Sequence, residues 1–462
     1  MTFAHTLAER IQQTHPEQVS PEAVRWAKAA IRDTIAVTIA GVDSRTATIT
    51  RRVTGIEGGA GACQVLGTPL RCGVLAAARA NGTAAHALDF DDIQQNMMGH
   101  PSVAVLPAVL ALAEAQGRTG TDALLAYLTG LEATCRLGRV VGFSHFAQGW
   151  HATETLGIFG AAAAASRLLA LNPDRTATAL AISVSLAAGV RANFGTMAKP
   201  LHAGLAASNG VLAALLARDG FTADHGAFEH PQGFFALFRR SPEPPDVHAL
   251  DGWLDPPEIL VPGIALKLYP CGAHTHPFIE MIRRLSAAHG LTADTVARID
   301  ILAEQSRHAH TNRPEPKSGL DAKFSVQYTV ARALLDGCVL LSHFGDTAVR
   351  EPAVRAVMGK IHPAPHPDMD ASWADKYGGE MTVTTTDGRQ FSDRIVHQLA
   401  RGPEHPVTDQ ELWTKFQDCA AAVLPPIRIE ALFAALGRLE TLESVADVVA
   451  LTAPDRRQSD PA

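Results

Sequence analysis

From residue 1 to about 260, small apolar residues recur at helical spacing in one segment after another, separated by short Gly, Pro or Asp punctuation. PEAVRWAKAAIRDTIAVTIAG, GVLAAARANGTAAHALDF, TDALLAYLTGLEATCRLG and LGIFGAAAAASRLLALN are examples. Alanine dominates these faces, which favours helix intrinsically and lets helices approach closely. The pattern predicts a large all-α domain over residues 1–262, and 47% hydrophobic content over 462 residues supplies its core.

The pattern changes after SPEPPDVHALDGWLDPPEIL, where Pro is dense and the Ala runs thin out. VARIDILAE alternates as a strand does, and EMTVTTTDGRQFSDRIVH is two β-prone runs joined by Asp387-Gly388, a hairpin signal. FSVQYTVARALLDG and REPAVRAVMGK read as helices between them, so residues 263–400 are expected to form a smaller α+β domain. Thr408-Asp409-Gln410-Glu411 fits a capping box, and residues 401–462 are expected to be helices returning to the first domain, with the last ten frayed. The expected fold is mainly α with an inserted α+β domain.

Several partners are disfavoured. The 40 basic and 47 acidic residues are spread along the chain without a Lys/Arg block, which argues against nucleic acid. Six cysteines stand far apart without CxxC pairs, and the opening MTFAHTLAERIQQ lacks a basic then apolar leader, so a reduced, cytoplasmic setting is expected. GIFGAAAAASRLLALNP is broken by Arg167, and no apolar stretch is read as reaching the roughly 18 residues of a membrane span. GIEGGAGACQVLG matches no dinucleotide or phosphate-loop spacing, and GxSxG and HExxH are absent. No cofactor is expected.

Four polar islands interrupt the apolar pattern: HALDFDDIQQNMMGHPS, GFSHFAQGWHATETLG, RANFGTMAKPLHAG and LKLYPCGAHTHP. Asp89 follows an Ala-rich helix and would be partly shielded, suited to acid–base work or to holding a histidine protonated, whereas Asp91 and Asp92 read as solvated loop acids. His100 precedes a helix with Ser102 as its N-cap, and it and His151 in GWHAT could move protons or simply pack. Lys199 sits between NFGTMA and a helix start, where an ammonium is costly unless it meets an anion. The spacing of Asp89, Asp91, Asp92 and His100 matches no metal-ligand set, and Cys271, His274 and His276 suit a loop better than zinc. Histidines, one lysine and one shielded acid suit proton transfer at a carbon beside a carboxylate.

HALDFDD with GHPS, GWHATETLGIFGAAAAASRLL, NFGTMAKPLHAGLAASNGVLAALLARDGF, KLYPCGAHTHP and AKFSVQYTVARALLDG, in this order, resemble the MmgE/PrpD family up to about residue 440. That family includes 2-methylcitrate dehydratases, cis-aconitate decarboxylases and iminodisuccinate epimerases. The resemblance implies a helical domain plus an α+β lid, a homodimer, an active site in the cleft between the domains, and no metal or organic cofactor. It implies catalytic roles for Asp89, His100, His151, Lys199, His276 and Tyr328, with Lys199 and Lys267 binding substrate carboxylates. Ile93 stands where decarboxylases carry a hydroxyl residue, and the loop to His100 is one residue longer than theirs and shorter than the dehydratase form. Tyr328 is present where the epimerase pattern lacks a tyrosine.

The leading expectation is therefore a cofactor-independent lyase that dehydrates a small di- or tricarboxylate. The alternatives are an epimerase of an imino- or amino-dicarboxylate, a cis-aconitate-type decarboxylase, and a non-catalytic metabolite-binding protein.

Overall fold

A computed structural model describes residues 1–58, 61–239, 245–369, 378–396 and 400–454. The end of the chain expected to fray falls mostly outside them. Internal contacts group residues 1–266 with 402–462 in one compact unit and 267–401 in a second.

The first unit is helical, as its alanine periodicity predicts. Its helices include α1 (Phe3–Gln12), α2 (Pro21–Gly41), α3 (Arg45–Gly58), α4 (Val74–Ala85), α5 (Ser102–Ala115), α6 (Gly120–Ala147), α7 (Ala152–Thr155), α8 (Gly157–Leu168), α9 (Pro173–Leu186) and α10 (Ala198–Arg218). Starts are set by side chains that take up free N–H groups: Ser20 Oγ accepts from Ala23 N, and Asn172 Oδ1 accepts from Arg175 N, each before a Pro in the first turn.

The crossing of α4 and α10 has no room for side chains at its centre. A Cβ on Gly82 would stand 2.9 Å from the Gly204 Cα, and one on Gly204 would stand 2.3 Å from the Arg79 carbonyl oxygen. This contact fixes the C-terminus of α4 against the N-terminal half of α10, and the polar islands lie at those ends.

By length and hydropathy α10 would suffice to cross a membrane, contrary to the reading that no stretch does. It is 67% buried over its most apolar window. Here the apolarity serves the core, because α10 is surrounded by other helices of the unit.

The chain returns to this unit through α14 (Asp409–Ala420), α15 (Pro426–Gly437) and α16 (Val445–Ala450). The expected capping box is present, with Thr408 Oγ1 accepting from Glu411 N at 3.2 Å. The return is anchored by a buried ion pair of Lys415 on α14 with Asp33 on α2, 2.5 Å apart. Lys415 Nζ also donates to the Phe90 carbonyl at 2.9 Å and lies 3.9 Å from the centre of the Phe90 ring.

The second unit carries a four-stranded sheet: β1 (Val296–Ala303), β2 (Ile361–Pro365), β3 (Gly379–Thr385) and β4 (Gln390–Ile395), in the order β2-β1-β3-β4. Only the β1–β2 pair is parallel. The β3–β4 hairpin turns at Asp387-Gly388, where Gly388 has φ 86°, as the sequence predicts. Strand β2, IHPAP, was not foreseen because its two prolines argue against a strand; it is tolerated at the sheet edge. Helices α11 (His276–His289), α12 (Val326–Asp336) and α13 (Pro352–Met358) share its core with Phe278, Ile299 and Met381.

Candidate active site

Helix α4 ends at Ala85, and the polar residues follow in a loop shaped by its surroundings. Asp89 has φ 54°, a left-handed conformation that Asp tolerates better than most residues. Lys415 holds the next carbonyl, that of Phe90, and residues 93–94 then form a short antiparallel ladder with 264–265. These restraints send three successive acids in different directions.

Asp91 and Asp92 are fully buried, which corrects the reading of them as solvated loop acids. Asp91 Oδ2 lies 2.9 Å from both His86 Nδ1 and His100 Nδ1, so one carboxylate clamps two imidazoles. Burial would raise the Asp91 pKa, but the two histidines outweigh it and hold the carboxyl well below the usual range. Burial pushes His86 down to about 4, so this ring is neutral at pH 7 and donates Nδ1–H to Asp91. His100 Nδ1 also meets the Asp92 carbonyl at 2.7 Å. Both neighbours are acceptors, so Nδ1 carries the proton and Nε2 is left for chemistry.

Asp92 faces away from this pair. Its carboxyl accepts from the Ser102 hydroxyl, which also meets Tyr127 Oη at 2.6 Å. Burial pushes Asp92 up to about 8, with the Asp91 and Asp33 carboxylates adding to the shift against the opposing Ser102 bond. Ser102 is therefore the first residue of α5 and a partner of Asp92, and the N-cap position expected for it belongs to Pro101.

Lys199, in the first turn of α10, meets the anion its apolar setting requires: Nζ is 3.1 Å from Asp89 Oδ1. His100 Nε2 is 4.0 Å from the same oxygen. The Phe194 ring lies 5.3 Å from the ammonium and packs edge-on against His151 at 4.8 Å.

His151 precedes α7 and is buried, and that burial, reinforced by His86 and Lys199, holds its pKa well below the ordinary value. Its Nδ1 is 2.9 Å from His202 Nδ1, and His202 Nε2 is 3.7 Å from Glu154 Oε2. Burial pushes Glu154 up to about 8. Four imidazoles thus run in file, with ring centres 4.6 Å apart for His100–His86, 5.8 Å for His86–His151 and 5.2 Å for His151–His202. His151 Nε2 and His86 Nε2 are buried without a hydrogen-bond partner among the described residues.

Asp89, His100, His151 and Lys199, chosen from separate islands, are thus brought into one cluster. His86, Asp91, His202 and Glu154 were not selected. The signal for two of them was helical spacing: His202 is one turn beyond Lys199 in KPLH, and Glu154 is three residues after His151 in HATE.

His86, Asp89, Asp91 and His100 offer ligand atoms within 4.8 Å of one another, a convergence that linear spacing did not reveal. Two features of the donor set oppose an ion there. Both Nδ1 atoms already donate to Asp91, and the Asp89 carboxylate is engaged by an ammonium.

In the second unit, Lys267 is 2% exposed. His276 opens α11, with Nε2 3.3 Å from the Cys271 carbonyl and its ring 5.2 Å from that of Tyr269. Tyr328 on α12 is fully buried; its hydroxyl donates to the His343 carbonyl and accepts from Arg332 Nε at 3.0 Å.

Residues 5–246 match the model of the MmgE/PrpD N-terminal domain, and residues 269–436 that of the MmgE/PrpD C-terminal domain. The chain belongs to the MmgE/PrpD family. Among its relatives, the human protein named cis-aconitate decarboxylase is 31% identical over 458 residues, covering 96% of this chain and 92% of the relative. The mouse protein of that name is 33% identical over 79% of this chain and 76% of its own length. That of Aspergillus terreus is 28% identical over 84% of each.

Proposed function

We propose that this MmgE/PrpD protein is a lyase acting on a small tricarboxylate, and that it removes a carboxyl group as carbon dioxide. The observation that carries the proposal is the pairing of Lys199 with Asp89 beside a histidine whose outer nitrogen is free of Asp91. A substrate carboxylate competing with Asp89 for the ammonium would lie next to His100 Nε2. On decarboxylation the C–C bond breaks, its electron pair moves into the neighbouring double bond system, and a carbon takes a proton. His100 supplies that proton from Nε2, and Asp91 stabilises the imidazolium that precedes transfer, much as a carboxylate supports histidine in acyl-transfer triads. His151 is the second proton carrier. The names of the relatives favour carbon dioxide over water as the leaving group.

Dehydration of a hydroxy-tricarboxylate is the second reading, favoured by Ile93 in place of a hydroxyl residue. In that case His100 Nε2 removes the proton next to the carboxylate, and the resulting imidazolium returns a proton to the departing hydroxyl, which leaves as water. Lys267, His276 and Tyr328 are assigned to the reaction on their motifs. Metal-free action as a homodimer is part of the same proposal, checked by activity after chelation and by sedimentation.

The test is incubation of the purified protein with cis-aconitate and with citrate-type hydroxy acids in D₂O. Carbon dioxide release with one deuterium in the product supports the first reading, and formation of a conjugated acid without carbon dioxide supports the second. Solvent deuterium entering otherwise unchanged substrate would replace both with an epimerase.

A further inference from the structure

Away from this site, α1, the start of α9 and the segment after α10 meet at two histidines and an acid. His5 Nε2 is 3.6 Å from Asp174 Oδ1, and His225 Nδ1 is 3.9 Å from the same oxygen. The two rings are 4.5 Å apart and nearly perpendicular, at 79°, and one nitrogen of each lies with an Asp174 oxygen in a group spanning no more than 4.8 Å.

The remaining nitrogen of each ring is held by a hydroxyl. The Thr178 hydroxyl donates to the Asp174 carbonyl at 3.1 Å, so its oxygen must accept the bond that joins it to His225 Nε2 at 2.8 Å. His225 therefore carries its hydrogen on Nε2 and, when neutral, turns a bare lone pair on Nδ1 toward the Asp174 carboxylate. On the other side His5 Nδ1 is 3.0 Å from Thr2 Oγ1, which leaves His5 Nε2 toward the acid. A neutral His225 thus sets a lone pair against the Asp174 carboxylate with His5 Nε2 beside it, an arrangement that a cation among the three atoms would relieve.

We propose that His5, His225 and Asp174 bind a borderline divalent transition metal of the zinc type. In a tetrahedral zinc site the ligand atoms stand roughly 3.3 Å apart, so closing the observed 3.6 and 3.9 Å needs only small side-chain shifts, and Asp174 is exposed enough to make them. Two imidazoles and one carboxylate are a borderline donor set, and hydroxyl partners on the far nitrogens orient the rings as outer-shell groups do in metal sites. The ion would tie three chain segments together, so its effect is on stability and not on the lyase site.

The test is titration of untagged, chelator-treated full-length protein with Zn²⁺ by calorimetry and thermal melting. Wild type is expected to bind one equivalent at this place with about micromolar affinity and to melt at higher temperature with zinc. His5→Gln and His225→Gln, at half-buried positions, and Asp174→Asn, at an exposed one, are expected to weaken that equivalent at least roughly tenfold and to abolish the thermal shift. His100→Ala separates any ion bound in the other cluster and is expected to leave this equivalent unchanged. Binding that survives in all three ligand variants, or no binding at about 1 mM Zn²⁺, overturns the site.

Discussion

The two units treat their motif residues differently. In the first, ionisable side chains meet ionisable side chains: lysine on aspartate, one aspartate on two histidines, histidine on histidine. In the second, His276 and Tyr328 each meet a backbone carbonyl, and Tyr328, part of the core, also accepts from Arg332. Clustered ionisable groups change each other's proton affinity strongly, as the opposite shifts of Asp91 and Asp92 illustrate. The variants that follow test whether the proposed proton chemistry belongs to the first unit's cluster.

The largest expected effect is at the coupled pair. Lys199→Ala and His100→Ala should each lower kcat/KM by roughly 10²–10⁴-fold with an unchanged circular dichroism spectrum. Rates near wild type in both would remove the first unit from the chemistry. Next, Asp91→Leu should cost about 1–3 kcal/mol in urea unfolding, because the buried His86 N–H loses its acceptor while His100 keeps only the Asp92 carbonyl, and it should abolish turnover.

Tyr328→Phe challenges the comparison directly. It removes a donor to His343 and an acceptor for Arg332, so a stability loss of about 1–2 kcal/mol is expected. A much larger fall in kcat at temperatures where the variant stays folded would show that this hydroxyl also meets substrate.

The smallest effect is at Asp92 and Glu154, whose folded pKa values are pushed up to about 8. Between the ordinary carboxylate range and about pH 8 the folded protein keeps protons that the unfolded chain has released, so these groups reduce stability as pH rises through that window. Glu154→Gln, which resembles the protonated acid, should leave the pH 7 rate nearly unchanged and flatten the stability decline toward pH 8, measured by urea midpoints across pH.

Much of this was legible in the sequence. The alanine periodicity marks the helices, and Thr408 and Asp387-Gly388 mark a helix start and a hairpin turn, because those signals are local. Lys199 was legible because an ammonium in apolar surroundings implies an anion. The roles of Asp89, Asp91 and Asp92 were not, since neighbours in sequence acquire opposite environments only through the left-handed turn at Asp89 and the distant Lys415. Strand β2 escaped notice because edge pairing tolerates prolines that a central strand would reject.

The buried pair of Asp33 with Lys415 ties the two ends of the chain together and supports the Phe90 carbonyl between the acids of the site. During synthesis, Asp33 leaves the ribosome long before Lys415 exists. The loop that carries Asp89 and Asp91 must wait without that support while residues 267–401 are made. A nascent chain stalled before α14 would hold every residue of the first unit's cluster yet lack the Lys415 clasp on the Phe90 carbonyl.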